Sequence, residues 1–273
     1  MKILFGKSIW EMLPCETARF LDRAQSDGFD AVEMLPSMME LPPERFRDEC
    51  RARGLRFIAQ ILTEGETPAE HLSYIGRWIE CAAACGPCRI NMHTGKDYFP
   101  FQDNLRLFQR AAELAQRAGI PLVHETHRGR ALFSAPAAAQ FLTALPNLRI
   151  AADFSHWMVV HESDLCDQPQ ALELAVSRAD YIHARVGFAE GPQVPHPLAP
   201  EWKQARERHV GLWRQILAAR RAEGLDELIV TPEFGPAPYM PTLPFTAQSV
   251  ADAWRVNVEF RDWLRGHLAP AAS

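Results

Sequence analysis

The 273-residue chain has no run approaching the roughly 18 uninterrupted apolar residues that a membrane-crossing helix requires. It has no run of lysine and arginine, its formal charge is −5 and its isoelectric point is about 6.1. A nucleic-acid-binding domain usually shows a basic patch and an isoelectric point above about 9. Neither a membrane nor a nucleic acid is therefore expected as a partner. The opening MKILFGKSIWEML meets Lys7 and Glu11 without a small-residue cleavage site, so it reads as a first strand and not as a secretory signal. The cytoplasm is the expected compartment. No glycine- or serine-rich stretch and no shift in composition divides the chain, so residues 1–273 read as a single domain. Missing too is a G-x-G-x-x-G after the first strand, the phosphate-binding turn of nucleotide-binding open sheets. Cysteines number six (Cys15, Cys50, Cys81, Cys85, Cys88 and Cys166). Without a secretory signal they are expected as reduced thiols and not as a disulfide framework.

What is present is an ordinary globular balance, 47% hydrophobic and 23% charged, which excludes a disordered chain. Short apolar runs recur at 2–6, 30–35, 55–62, 88–93, 120–126, 148–154, 180–186 and 227–234, each with the length of a buried parallel strand. Between them lie stretches of helical periodicity such as 16–28, 104–119 and 134–146. Several end in glycine (Gly28, Gly54, Gly119, Gly224), a helix stop signal. Eight strand–helix units closed by a helix over 246–265 are the count of an α/β (β/α)8 TIM barrel. A doubly wound open sheet is the rival, weakened by the missing glycine motif. The longest irregular segment expected is 187–200, stiffened into a wall or lid by Pro192, Pro195, Pro197 and Pro200. The stretch CAAACGPC (81–88) has the spacing of an iron–sulfur site. In a barrel, however, Cys81 and Cys85 lie one helical turn apart before the fourth strand and Cys88 opens it, at the end opposite the active site.

Function in such a barrel sits at the C-terminal ends of the strands. There stand Glu125, Asp153, His183 with Arg185, and Glu233. Alternation along a strand places Val123/Glu125, Ala151/Asp153, Tyr181/His183/Arg185 and Ile229/Thr231/Glu233 each on one face. If the apolar members fill the barrel, the ionisable ones stand above them toward the axis. Any one of them could be a helix cap or a salt-bridge partner. In register at the ends of strands five to eight, they argue for one shared site. Three carboxylates over an apolar floor repel one another, and a divalent cation relieves the repulsion. Oxygen donors with one imidazole suit Mn²⁺ first, with Mg²⁺, Co²⁺ or Zn²⁺ as alternatives, over a thiolate metal. Glu33 and His93 end the second and fourth strands and can reach the cavity as substrate contacts. Trp10, Phe154 and Trp157 either pack against a sugar face or belong to the core. Arg128, with Gly129, either catches a phosphate or carboxylate or is a solvated surface group. His127 lies past the strand end where substrate can meet it, His196 in the long loop is placed to cover the site, and His124 alternates toward the helix layer.

The segments HETHRG, DFSHW, HARVG and PEFG, in this order and on these strands, resemble the xylose isomerase-like TIM barrel superfamily of sugar isomerases and epimerases, which includes ketose 3-epimerases and hydroxypyruvate isomerase. The resemblance implies one divalent metal held by Glu125, Asp153, His183 and Glu233. It also implies a histidine three residues after the aspartate, here His156, and an arginine after the third ligand that binds substrate oxygen. Arg185 is the nearest match for that arginine, at a shorter spacing. The implied chemistry is isomerisation or epimerisation: a carbon next to the substrate carbonyl loses a proton and the enediolate is stabilised electrostatically. Glu125 and Glu233 are the pair that removes and returns the proton. His156 and Arg185 polarise or hold oxygens, with His156 alternatively only a partner of Asp153. A small carbohydrate is the expected partner, and a homo-oligomer is left open. The first alternative is a lyase or dehydratase acting on a keto-sugar, keto-inositol or 3-keto-glycoside through the same proton abstraction. A metal-dependent endonuclease would need a histidine where the third strand has Gln60 and an Asp-x-His where the loop reads QVPH. A non-catalytic metal- or sugar-binding protein is the last.

Overall fold

Each of the eight apolar runs forms a strand in the computed structural model, which describes residues 1–268. The strands are β1 (Lys2–Ser8), β2 (Ala31–Met34), β3 (Arg56–Leu62), β4 (Arg89–His93), β5 (Leu122–Glu125), β6 (Ile150–Ala152), β7 (Ala179–Ala184) and β8 (Glu227–Pro232). All pair in parallel with their sequence neighbours, and β8 returns to β1 to close the barrel. The helices are α1 (Thr17–Ser26), α2 (Pro43–Ala52), α3 (Pro68–Ala84), α4 (Phe101–Ala118), α5 (Ala135–Ala144), α6 (Phe154–His161), α7 (Pro169–Arg178), α8 (Lys203–Ala222) and α9 (Ala253–His267). Local signals set their ends. Thr67 and Glu70 form a reciprocal capping box at the start of α3, and Gly119 ends α4 in the left-handed conformation at φ 68°.

Several boundaries differ from the sequence reading. The last helix begins at Ala253 and not at 246, so the longest irregular segment is 233–252 and not 187–200. Pro236, Pro238, Pro241 and Pro244 keep the stretch after β8 out of a helix, and the residues after 246 turn back on it, the Val250 amide donating to the Pro241 carbonyl at 3.0 Å. Asp252 supplies the cap, its Oδ1 accepting from the Arg255 amide at 2.8 Å. Strands β6, β7 and β8 also stop early, leaving Asp153, Arg185 and Glu233 one residue past their ends.

Strand alternation fills the barrel. Leu4, Ala31, Ile58, Val123, Ala151, Tyr181 and Ile229, with Cys88 against them, form an apolar floor inside it. The opposite faces of the strands pack under the helices in two larger clusters. The interior is full enough to specify glycine at position 6, where a Cβ would lie 2.1 Å from Thr231 Oγ1. The cysteine triplet serves packing. Cys85 donates its thiol to the Cys81 carbonyl at 3.4 Å, and burial pushes that thiol up to about 11, while Cys88 sits at the floor. Phe154 and Trp157 are buried core, and the Trp157 indole donates to the Leu132 carbonyl at 2.9 Å, so neither meets a sugar face. Among the described residues no helix is long and apolar enough to cross a membrane.

Two histidines make stability pH-dependent. His124 faces α4 against Phe108, and burial pushes it down to about 3. His209 accepts from the Gly187 amide at 3.0 Å, and burial lowers it to about 4. The unfolded chain protonates both near 6.5. Below that pH unfolding therefore takes up protons, and stability falls as pH falls toward about 4, on the order of 1.4 kcal/mol per pH unit for each. Thermal midpoints measured from pH 7 to 5 are expected to fall less steeply for His124→Gln. An unchanged slope would contradict the assignment.

Candidate active site

The inward positions above the floor carry polar side chains in two tiers. In the lower tier the Tyr181 hydroxyl donates to Glu33 Oε2 at 3.0 Å and pairs with Thr231 Oγ1 at 2.6 Å. Asn91 Nδ2 bridges Glu33 Oε1 at 2.9 Å and Glu125 Oε2 at 2.8 Å. Glu33 also receives His183 Nε2 at 2.9 Å. Glu33 thus lies fully buried beneath the histidine, where it orients the ring; its two oxygens are taken up by protein groups and not turned to a substrate. Asn91 lies two residues before His93 on one strand face, a signal the sequence reading passed over.

The upper tier gathers Glu125, Asp153, His183 and Glu233, each offering a ligand atom within 4.8 Å of the others. Ligands sharing one ion at about 2.1 Å lie about 3 Å apart when adjacent and about 4.2 Å when opposite, so this convergence has the right scale. Asp153 reaches it because its backbone is pinned: the amide donates to Thr126 Oγ1 at 2.8 Å, and Oδ1 caps α6 through the Ser155 amide at 3.0 Å. Oδ2 is left to face the axis. His183, with Nε2 committed to Glu33, turns Nδ1 toward Glu125 Oε2 at 3.2 Å and Glu233 Oε2 at 3.0 Å. The ring nitrogen and two carboxylate oxygens meet at one spot, where a proton on Nδ1 bridges them here and a divalent ion would fit in its place. Burial alone would lower His183, but Glu233, Glu33 and Glu125 together hold it well above its ordinary value. Glu125 Oε1 is buried with no partner. Burial pushes Glu125 up, yet His93, at 2.6 Å, and His183 pull it well below the usual carboxylate range.

Arg185 is wholly buried and holds a place among these groups. Its Nη2 donates to Asp153 Oδ2 at 2.5 Å and to Glu233 Oε2 at 2.9 Å and lies 3.2 Å from His156 Nε2. Asp153 is raised by burial and by Glu233 and Glu125, against the pull of Arg185. Because a guanidinium only donates, the His156 Nε2 facing it is unprotonated and Nδ1 carries the proton. The His156 ring lies 3.8 Å from that of His127, and His127 lies 4.8 Å from His93. His93, Glu125 and His127 form a second convergent group.

The rim is built from the loops. Lys7 pairs with Glu11, which accepts from Asn257 Nδ2 at 2.7 Å, and Asn257 holds the Phe234 amide at 2.7 Å and its carbonyl at 2.9 Å. This chain ties the turn carrying Trp10 to the residue after Glu233. The 187–200 loop is a wall. Gln193 clamps Gly235, accepting from its amide at 2.7 Å and donating to its carbonyl at 3.1 Å. Within that loop His196 pairs with Glu259 of α9 at 3.0 Å and does not cover the site. Trp10 packs so closely on Gly235 that a Cβ there would fall 1.4 Å from the ring. Tyr239, from the long segment after β8, stands 5.0 Å from Trp10, 4.8 Å from the Arg185 guanidinium and 4.9 Å from that of Arg128. It went unnoticed in the sequence because nothing periodic marks an irregular loop.

The model of the family described as xylose isomerase-like TIM barrel matches residues 21–229. No curated protein matches. Solved structures share the fold at low identity. The 3-keto-D-glucoside 4-epimerase YcjR from E. coli superposes with a TM-score of 0.63 at 15% identity, over 97% of this chain and 100% of that one. The probable 3-DHS dehydratase AsbF of petrobactin synthesis, from Bacillus anthracis, gives 0.60 at 13%, over 86% and 94%. A xylose isomerase-like TIM barrel protein from Mycobacterium smegmatis, in complex with magnesium, gives 0.66 at 12%, over 97% and 98%.

Proposed function

The chain belongs to the xylose isomerase-like TIM barrel family, and from that premise we propose that it is a divalent-metal-dependent sugar isomerase or epimerase that works by moving a proton next to a carbonyl. The observation that carries this reading is His183 Nδ1, aimed at two carboxylate oxygens while Nε2 is held by Glu33. Together with the unpartnered Glu125 Oε1, it makes a donor set that fits a hard divalent ion such as Mn²⁺ or Mg²⁺. Glu125, Asp153, His183 and Glu233 would hold the ion. When bound, it would supply the positive charge that polarises a substrate carbonyl and lowers the cost of an enediolate.

The protein's own groups do the rest. Glu125 and Glu233 come from β5 and β8, separated around the barrel, so they approach a substrate from different sides. One takes the proton from carbon and the other returns one, inverting a centre or relocating the carbonyl according to which atom receives it. His156 Nδ1 and Arg185 Nη1 are unpartnered N–H donors suited to substrate oxygens. Trp10 and Tyr239 give an apolar wall for a sugar face, and Gln193 braces it through Gly235, on which Trp10 packs.

The same proton abstraction begins a β-elimination if a leaving group sits on the next carbon. A fold neighbour described as a probable dehydratase keeps the lyase reading as the second choice. Gln60, whose amide lies 3.5 Å from His93 Nε2, stands where the endonuclease reading needs an imidazole.

The test is to measure bound metal in the purified protein and incubate it with ketoses and keto-glycosides in deuterated water. Deuterium next to the carbonyl is the expected result, and retention of carbon-bound hydrogen with every substrate turned over would overturn it. A narrower expectation concerns the wall. Gly235→Ala must displace Trp10, so kcat/KM is expected to fall about tenfold or more, since a misplacement of about 1 Å can cost that much or greater. A shifted tryptophan emission would report the displaced ring, and unchanged kinetics would remove Trp10 from the site.

A further inference from the structure

Three buried N–H groups set around Tyr239 serve no contact within the protein. Arg185 Nη1 and Trp10 Nε1 are buried without partners, and so is His156 Nδ1, which carries the ring proton because Nε2 faces the Arg185 guanidinium. A buried N–H without an acceptor is costly, so three in one place imply a ligand that brings acceptors. They surround one ring: Tyr239 lies 4.8 Å from the Arg185 guanidinium, 5.0 Å from Trp10 and 6.2 Å from His156. A second guanidinium, that of Arg128, stands 4.9 Å from the same ring and forms no ion pair among the described residues. A neutral hydroxyl would bring its own proton to be accepted, whereas a deprotonated oxygen brings only lone pairs.

We propose that these groups form an anion subsite, so that the ketose handled here carries a carboxylate or a phosphate. The proposal rests on the isomerase reading and deepens it by naming the substrate class. Asp153 and Glu233 now neutralise Arg185 through Nη2. A divalent ion held by those carboxylates would take up part of their charge and leave the guanidinium charge to act through Nη1. Arg128 then adds a charge from the turn after β5, and Tyr239 sets the spacing between the two cations. Arg128 is half-buried and bears on no catalytic proton, so it is the subsite residue that can be changed without disturbing the metal ligands.

The experiment compares three ketoses of one skeleton, D-fructose, D-fructuronate and D-fructose 6-phosphate, in the Mn²⁺-loaded protein. Calorimetry gives binding, and deuterium uptake in deuterated water gives chemistry. One of the acidic ketoses is expected to bind at least about tenfold more tightly than fructose, the scale of one charge-assisted hydrogen bond. That preference should shrink with added NaCl and disappear in Arg128→Gln, while fructose binding stays the same. Which acid is preferred separates a carboxylate source from a phosphate source. Equal binding of all three, or a preference untouched by Arg128→Gln, overturns the subsite and leaves the isomerase reading standing if fructose still exchanges. Binding of an acidic ketose that depends on Arg128, without deuterium exchange on any of the three, supports the subsite and defeats the isomerase reading.

Discussion

Glutamine in place of Glu125 or of Glu233 is expected to lower solvent-deuterium exchange on substrate by about three orders of magnitude or more, because a positioned general base or acid alone contributes about 10²–10⁴-fold. The two variants also separate two roles. Glutamine keeps an oxygen that can touch a cation but has no oxygen that accepts and returns a proton at neutral pH. If each variant retains its metal and loses exchange, the glutamates act on the proton. If metal leaves with activity, they act as ligands first. Glu125 is the sharper case, since Oε2 is already shared among Asn91, His93 and His183 and only Oε1 is free. Exchange that survives in both variants would remove them as bases.

The second large effect concerns the ion. Asp153→Ala combined with His183→Ala deletes two of four convergent donors and is expected to abolish stoichiometric metal binding. The readout is thermal as well as analytical. A ligand that binds only the folded state stabilises it by about 2.7 kcal/mol at a concentration a hundred times its Kd. The wild-type midpoint should therefore rise when Mn²⁺ is added to metal-stripped protein, and the double variant should show no rise. Its metal-free form is expected to be weaker too, since losing Asp153 strips Arg185 of its strongest partner, and breaking a buried pair costs about 3–5 kcal/mol. Full metal occupancy in the folded double variant would contradict the ligand set.

Much of the barrel was legible because its physics is local. Buried parallel strands write themselves as short apolar runs, and alternation by two along β5 to β8 sorts Val123, Ala151, Tyr181 and Ile229 to the floor beneath the charged positions. The expectation for His124 follows from the same period, and its ring does face α4. What escaped was whatever depends on contacts distant in sequence. That Glu33 is enclosed by Tyr181, Asn91 and His183 could be read only once β2, β4 and β7 were placed around one axis. Tyr239 and the late start of α9 belong to a proline-rich segment with no period to follow. His196 illustrates the same gap: its loop was recognised, but its partner Glu259 lies 63 residues away.

Metal dependence of proton exchange tests the site most directly. The protein is stripped with a chelator, placed in deuterated water with a ketose it turns over, and titrated with Mn²⁺ while deuterium at the carbon next to the carbonyl is followed by NMR. Exchange should be absent in the stripped protein and should rise in proportion to bound metal, reaching its plateau at one ion per chain. Undiminished exchange in the stripped protein would contradict the role assigned to Glu125, Asp153, His183 and Glu233.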